Sequence, residues 1–320
     1  MGLFLLKRLL TLLATLAAAS ALIFSVLELL PGNVAQVILG DSATPESIAA
    51  LEAKLGLHRP ALERYADWAG GWLHGHSAVS TSYDAPTATL IAERLQVTLP
   101  LAVLAMAMTV ALALAMGVYA ASRHRRPGDV VVMTLSQLGL AVPSFWLAIL
   151  LILVFSVKLQ WFSAGGFPGW TEAEGGGFWP GLQALLLPAV ALAAVQAAVL
   201  ARWVRSSVLD VMRDDFVRTA RAKGLSRRAT LWRHVLRNAM IPVLTVIGLQ
   251  FAFLISGTVV VEQVFVLPGI GRLVFQAVAN RDLAVVRDVV MLLVTMVVVV
   301  NFIVDLLYAA IDPRLKVAHA

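Results

Sequence analysis

The chain has 320 residues, of which 60 % are apolar and only 14 % charged, with a mean hydropathy of +0.85 and no cysteine. So apolar a composition excludes an ordinary soluble domain, and the missing cysteines exclude disulfides, thiolate chemistry and Cys-ligated metals. A net charge of +6 and a pI near 10.1 would point to nucleic acid in a soluble protein, but here the charge is confined to particular loops, which membrane orientation explains without nucleic acid.

Six stretches are long and apolar enough to cross a hydrocarbon core about 30 Å thick as helices: 9–30, 97–122, 130–157, 184–204, 241–262 and 288–311. The expected fold is all-α, a polytopic membrane protein of six transmembrane helices with a cytoplasmic elbow between helices four and five. Its parts are the N-terminus and first span (1–30), an extracytoplasmic loop with short amphipathic helices (31–95), and a five-helix core (96–320) that includes a cytoplasmic segment at 205–240. Lys7 and Arg8 precede span one as they would a signal peptide. The apolar run to Leu30 is too long for one and no small-residue cleavage pattern follows, so a retained span is expected.

Charge orients the spans. Lys7 and Arg8, then Arg123, Arg125 and Arg126, then a basic block after span four, then Arg314 and Lys316 all fall on one side of a six-span chain. That side is the cytoplasm, with both termini in it. The opposite segment, 31–95, holds seven acids against four bases.

In chain order, Thr44-Pro45 reads as a helix N-cap with Pro at the first position. Ile48, Leu51 and Leu55 then share a face and Gly56 ends the helix. A second amphipathic piece from Leu62 to Leu73 spaces Tyr65, Trp68 and Trp72 as a headgroup-level face would. His74-Gly-His76 could place two imidazoles together, but a lone pair of this kind is weak support for a metal, and none is expected. The 163–181 loop, rich in Gly and Pro with Trp170 and Trp179, reads as an irregular interfacial cap.

The basic block follows. From Arg202 to Arg237 the chain carries ten Arg and Lys against three Asp, a net of +7. Asp214 and Asp215 suit the positive start of a helix, and Arg221 and Lys223 its end. Gly224 permits a turn into a second helix capped by Ser226. The expectation is two helices below the membrane with a Gly-hinged elbow. A solvated positive-inside loop is the alternative, and the small Thr219, Ala220 and Ala222 argue against it, since close docking needs small residues and solvation does not. Farther on, Glu262 heads a turn, Leu267-Pro-Gly-Ile-Gly-Arg272, on the extracytoplasmic side, and a short helix follows. Asp305 lies within span six and is expected to pair with an Arg of the basic block. Gly248, Ser256 and Gly257 on span five permit close helix approach, at a dimer seam or in ordinary packing.

No Gly-x-x-x-x-Gly-Lys-Ser/Thr loop is present, nor a His-Glu-x-x-His or a Gly-x-Ser-x-Gly elbow. No catalytic residue is expected. A secondary carrier would need several buried acids in repeated halves with broken helices, and span six offers one. A membrane enzyme or signalling scaffold would need convergent polar side chains within the spans, and none are legible.

Arg218-Thr-Ala-Arg-Ala-Lys-Gly-Leu225 with His234-Val-Leu-Arg-Asn-Ala-Met-Ile-Pro242 resembles the coupling motif of inner-membrane permease subunits in the dipeptide, oligopeptide and nickel branch of ATP-binding-cassette importers. The resemblance runs over nearly the whole chain. It includes Pro31-Gly-Asn33, Leu55-Gly-Leu57 with Pro60 and Tyr65, Val142-Pro-Ser-Phe145, and Glu262-x-x-Phe265 with Pro268-Gly269-Ile270-Gly271. Asp305-Leu-Leu-Tyr308 with Asp312-Pro313-Arg314 completes it. One departure is Gly75-His-Ser-Ala78, where many relatives have a Gly-Asp-Leu-Gly-like turn.

What the resemblance implies is a multi-pass bacterial inner-membrane permease, paired with a homologous second permease. It would be served by two cytoplasmic ATPases that hold the ATP and magnesium, with an external solute-binding protein delivering cargo. Asp215, Arg218, Thr219, Ala220, Arg221, Ala222, Lys223, Gly224 and Leu225 would form the ATPase-docking segment. Glu262, Phe265, Pro268, Gly269 and Gly271 would face the binding protein or gate the path. Peptides are the expected cargo, with nickel or another small solute as the alternative.

Overall fold

A computed structural model of the protein describes residues 2–29, 34–39 and 43–311. The motif residues Pro31–Asn33 and Asp312–Arg314, and Lys316 with them, lie outside that set, as does the side chain of Tyr308. Among the described residues the helices are α1 (Gly2–Glu28), α2 (Val34–Leu39), α3 (Pro45–Leu55), α4 (Ala61–His74), α5 (Thr87–Ser122), α6 (Pro127–Ala141) and α7 (Ser144–Leu151). There follow α8 (Phe178–Val211), α9 (Asp215–Ala222), α10 (Arg227–Thr230), α11 (Leu236–Val264), α12 (Ile270–Ala279) and α13 (Leu283–Ile311). Among the described residues five unbroken helical runs are long and apolar enough to cross a membrane, and a bent pair, counted as one span, makes a sixth.

The bent pair corrects the expected straight span at 130–157. Helix α6 stops at Ala141 and α7 restarts at Ser144, bent by 99° from it, then continues as a π-helix over Ile152–Lys158. The cause is Pro143, which forces Val142 out of the helical region to φ −93°, ψ 117°.

The short helices follow their local signals. Thr44 caps α3, its Oγ1 accepting the Ser47 N–H at 3.2 Å, and Gly56 ends it at φ +66°. In the loop before α8, the Glu174 carboxylate accepts the backbone N–H groups of Thr171 (3.2 Å) and Trp170 (2.8 Å). Those bonds stabilise the charged form and hold the carboxyl below the usual range.

The chain divides into two compact units, one of Met1–Val97 with Pro268–Val298, the other of Thr98–Leu267 with Val299–Ala320. In the first, a buried cluster joins Leu90 and Ile91 to Ile270, Leu273, Val285 and Val289. Trp68, expected at a headgroup boundary, is instead buried. Its indole Nε1 donates to Asp288 Oδ1 at 2.6 Å, and the Arg287 guanidinium lies 4.8 Å from its ring centroid. A buried carboxylate draws the amphipathic helix inward because its lone pairs must be satisfied.

In the second unit α8 is the centre, packed on α6, α7 and α11, with most of its apolar stretch buried. Gly117 of α5 approaches the Ala201 carbonyl so closely that a Cβ there would sit 2.7 Å from it. Gly257 lies against Leu192, and Gly248 against Asn301 and Val304. The two glycines that sequence left open between a dimer seam and packing are thus used within the chain.

Candidate functional site

The basic segment folds as expected at its first helix. Asp214 is extended at φ −65°, ψ 148°, Asp215 stands in the first turn of α9 and Arg221 in the last, so each charge complements the nearby helix end. The helix closes with two bonds, Gly224 N–H to Arg221 O at 3.0 Å and Leu225 N–H to Ala220 O at 3.3 Å. That closure requires a left-handed residue after the cap, and Gly224 supplies it at φ +86°.

Beyond Gly224 the structure corrects the sequence reading. Ser226 does cap a helix, its Oγ accepting the Ala229 N–H at 3.2 Å. That helix is not a separate piece below the membrane, however. It passes through a π-turn at Leu231–Val235 into α11, so that Arg227–Val264 is one helical run of 38 residues. No Gly interrupts the run before Gly248, and Pro242 is carried inside it. The helix that follows Gly224 is therefore continuous with a run long and apolar enough to span a membrane.

The faces of α9 are sharply different. Val217 is buried in a cluster with Leu200, Val204, Val208, Val235 and Ala239, which anchors the elbow to the ends of α8 and α11. Burying a Val side chain is worth on the order of 2 kcal/mol. Ala220 is buried beside it, three residues on, so its small size serves the chain's own packing and not an outside surface. Thr219 also turns to its own helix, donating to the Asp215 carbonyl at 3.0 Å. Asp215, Arg218, Arg221, Ala222, Lys223 and Gly224 are exposed, and Leu225 is half-buried. Phe216 adds an exposed ring to the same polar surface. Arg218 and Asp215 lie 3.3 Å apart, but with side chains 77 % and 93 % exposed the pair contributes little.

A support for the elbow went unread in the sequence. The Arg205 guanidinium grips the buried Asp129 carboxylate with both prongs, at 2.6 and 2.7 Å, and Arg125 N–H donates to the same carboxylate at 3.0 Å. This bidentate pair ties the start of α6 to the C-terminal part of α8, ten residues before α9 begins. The available signal was a single Asp closing the Arg-rich loop after span two.

The candidates expected on the extracytoplasmic side are buried or half-buried. Glu262 is wholly buried and its Oε1 accepts the Thr98 hydroxyl at 2.6 Å. Phe265 is also buried, and its carbonyl accepts Gly166 N–H at 2.8 Å. Neither side chain offers a surface to a binding protein. Gly269 caps α12 and Gly271 lies in its first turn, both buried, with Pro268 half-buried before them. Asp305 is half-buried on α13. Among the described residues no group of three His, Asp or Glu is placed to hold a metal. His74 bonds the Gly70 carbonyl at 2.8 Å, and His58 lies 3.5 Å from Glu52.

Comparison with known proteins agrees with this geometry. Residues 113–317 match the family described as binding-protein-dependent transport system inner membrane component. Residues 1–113 match the N-terminal family of the same systems. A Brucella abortus (strain 2308) permease protein named for peptide transport is 42 % identical, covering 97 % of this chain and 98 % of that one. A glutathione transport system permease protein of Escherichia coli (strain K12) is 39 % identical over 98 % of each. Among solved structures, the MetNI methionine ABC transporter in an inward-facing conformation matches with a TM-score of 0.58 at 17 % identity. It covers 70 % of this chain and 96 % of that one, a likeness that speaks for the fold alone.

Proposed function

The chain belongs to the binding-protein-dependent transport system inner membrane components, and from that premise we propose that it is one of two homologous permeases forming a path for di- and oligopeptides. It is a multi-pass inner-membrane transport subunit and not an enzyme. In this reading both termini are cytoplasmic, and a solute-binding protein delivers peptide from outside. Two partner ATPases hold ATP and magnesium beneath. The peptide class is favoured by relatives named for peptide and glutathione transport.

One observation carries the mechanism: α9 is clamped to the chain by Val217 while its charged face and Gly224 stay exposed. Such a helix moves as a rigid body with whatever docks on it. Through the unbroken run from Arg227 it passes that motion to α11. Arg218, Arg221 and Lys223 set the orientation of docking more than its strength. In this reading Glu262 and Phe265, and separately Pro268, Gly269 and Gly271, remain candidates for gating the path.

The test is reconstitution. The permease pair, ATPases and binding protein in proteoliposomes should accumulate labelled peptide only with ATP present, and omission of this chain should abolish uptake. Uptake of the same peptide by this chain alone, without ATPases, would overturn the subunit reading.

A further inference from the structure

The extracytoplasmic end of the first unit contains a half-enclosed cavity of about 300 Å³ that the coupling segment does not account for and that meets the gating candidates only at Gly269. It is lined by Tyr83, Arg94, Gly269, Arg272, Leu273 and Gln276. Two guanidinium side chains converge on it and, among the described residues, its walls carry no carboxylate. The Nε of Arg94 is buried without a hydrogen-bond partner, one of the few such atoms among the described residues and the one beside this cavity. Arg272 and Gln276 stand one turn apart on α12 and so share a face. The Tyr83 hydroxyl donates to Gln276 Oε1 at 3.2 Å, which leaves the Gln276 amide nitrogen as a further donor.

We propose that this cavity is a carboxylate subsite that takes the C-terminal end of a peptide entering the path. A side-on guanidinium offers Nε–H and Nη–H in the spacing of two carboxylate oxygens, and Arg94 Nε is the donor left over. Two positive groups repel a peptide's amino end, so the cavity selects orientation as well as charge. Its volume suits one terminal residue and not a whole peptide, with Leu273 supplying apolar wall. The inference rests on the peptide reading above.

The experiment compares a labelled tripeptide with its C-terminal amide, each loaded to saturation on the binding protein, in proteoliposomes holding the full transporter. Wild type should transport the acid about tenfold faster than the amide, the scale of one lost charge-assisted contact. In Arg94→Gln that ratio should fall towards one, and in Arg94→Lys, which keeps charge but loses the fork, it should be intermediate. Arg272→Gln supplies the same reading should Arg94→Gln fail to assemble. If Arg94→Gln slows acid and amide equally, the cavity meets an acidic side chain of the binding protein or serves folding, and the subsite is refuted. If wild type carries neither peptide, the peptide reading itself fails. Transport of both at equal rates by wild type refutes the subsite alone.

Discussion

Substitution at Gly224 separates the chain's own needs from those of a docked partner. At φ +86° any side chain is strained, and the cost is on the order of 1 kcal/mol. A Cβ built at this position meets nothing within 4 Å, so no neighbour in this chain adds to that cost. Gly224→Ala and Gly224→Leu should therefore burden the chain almost equally, and Gly224→Asn somewhat less, since Asn tolerates the left-handed region. A cost of about 1 kcal/mol is too small to unfold the transmembrane helices, so all three variants should reach the membrane at near-normal levels. A docked surface makes the difference, because Leu projects atoms where Ala does not. Co-purification of the ATPases from detergent-solubilised membranes should persist in Gly224→Ala and drop roughly tenfold in Gly224→Leu, the effect of about 1.4 kcal/mol at an interface. Equal yields for Ala and Leu, at wild-type level, would show that nothing docks at this corner.

Other outcomes follow from the same structure. Arg205→Ala should strand the buried Asp129 carboxylate and destabilise the packing of α6 on α8 by about 3 kcal/mol. Pairing it with Asp129→Asn should recover much of that loss, read as melting of the detergent-solubilised protein. Val217→Asp should release α9 from its cluster, seen as new protease cleavage between Met212 and Arg227 with the spans intact. Glu174 is held below the usual carboxylate range by backbone N–H bonds. Its contribution to the loop is thus present above the ordinary Glu range and lost as pH falls through the lowered value. Acidification should shift Trp fluorescence in wild type, and Glu174→Gln should abolish that pH dependence.

Most of the architecture was legible because hydropathy, loop charge and capping chemistry agree. Thr44-Pro45 with Gly56, and Ser226 after Gly224, mark their helix ends by local side-chain and backbone chemistry alone. Pro143 was legible too, yet a continuous apolar run over 130–157 masked it, since hydropathy counts residues and does not see a bend. Trp68 and Asp288 escaped because they lie 220 residues apart, and periodicity in one helix cannot reveal a buried acid on another. For the same reason Glu262 looked like an exposed turn residue while Thr98 waited to receive it in the interior. In the coupling segment the residue types pointed to docking as a group. Only the packing shows that Ala220 faces inward while Arg221 and Lys223 do not.

The chain has no cysteine, so a single introduced thiol reports one position without background. The most direct test of the docking claim is site-specific cross-linking of Arg221→Cys on the exposed face of α9, in membranes containing the whole transporter. The account expects a cross-link to an ATPase subunit, and none from Trp179→Cys, which lies exposed at the start of α8, the end away from α9. An ATPase cross-link from neither Arg221→Cys nor Arg218→Cys, when a thiol at Arg125 in the loop between α5 and α6 does yield one, would contradict it.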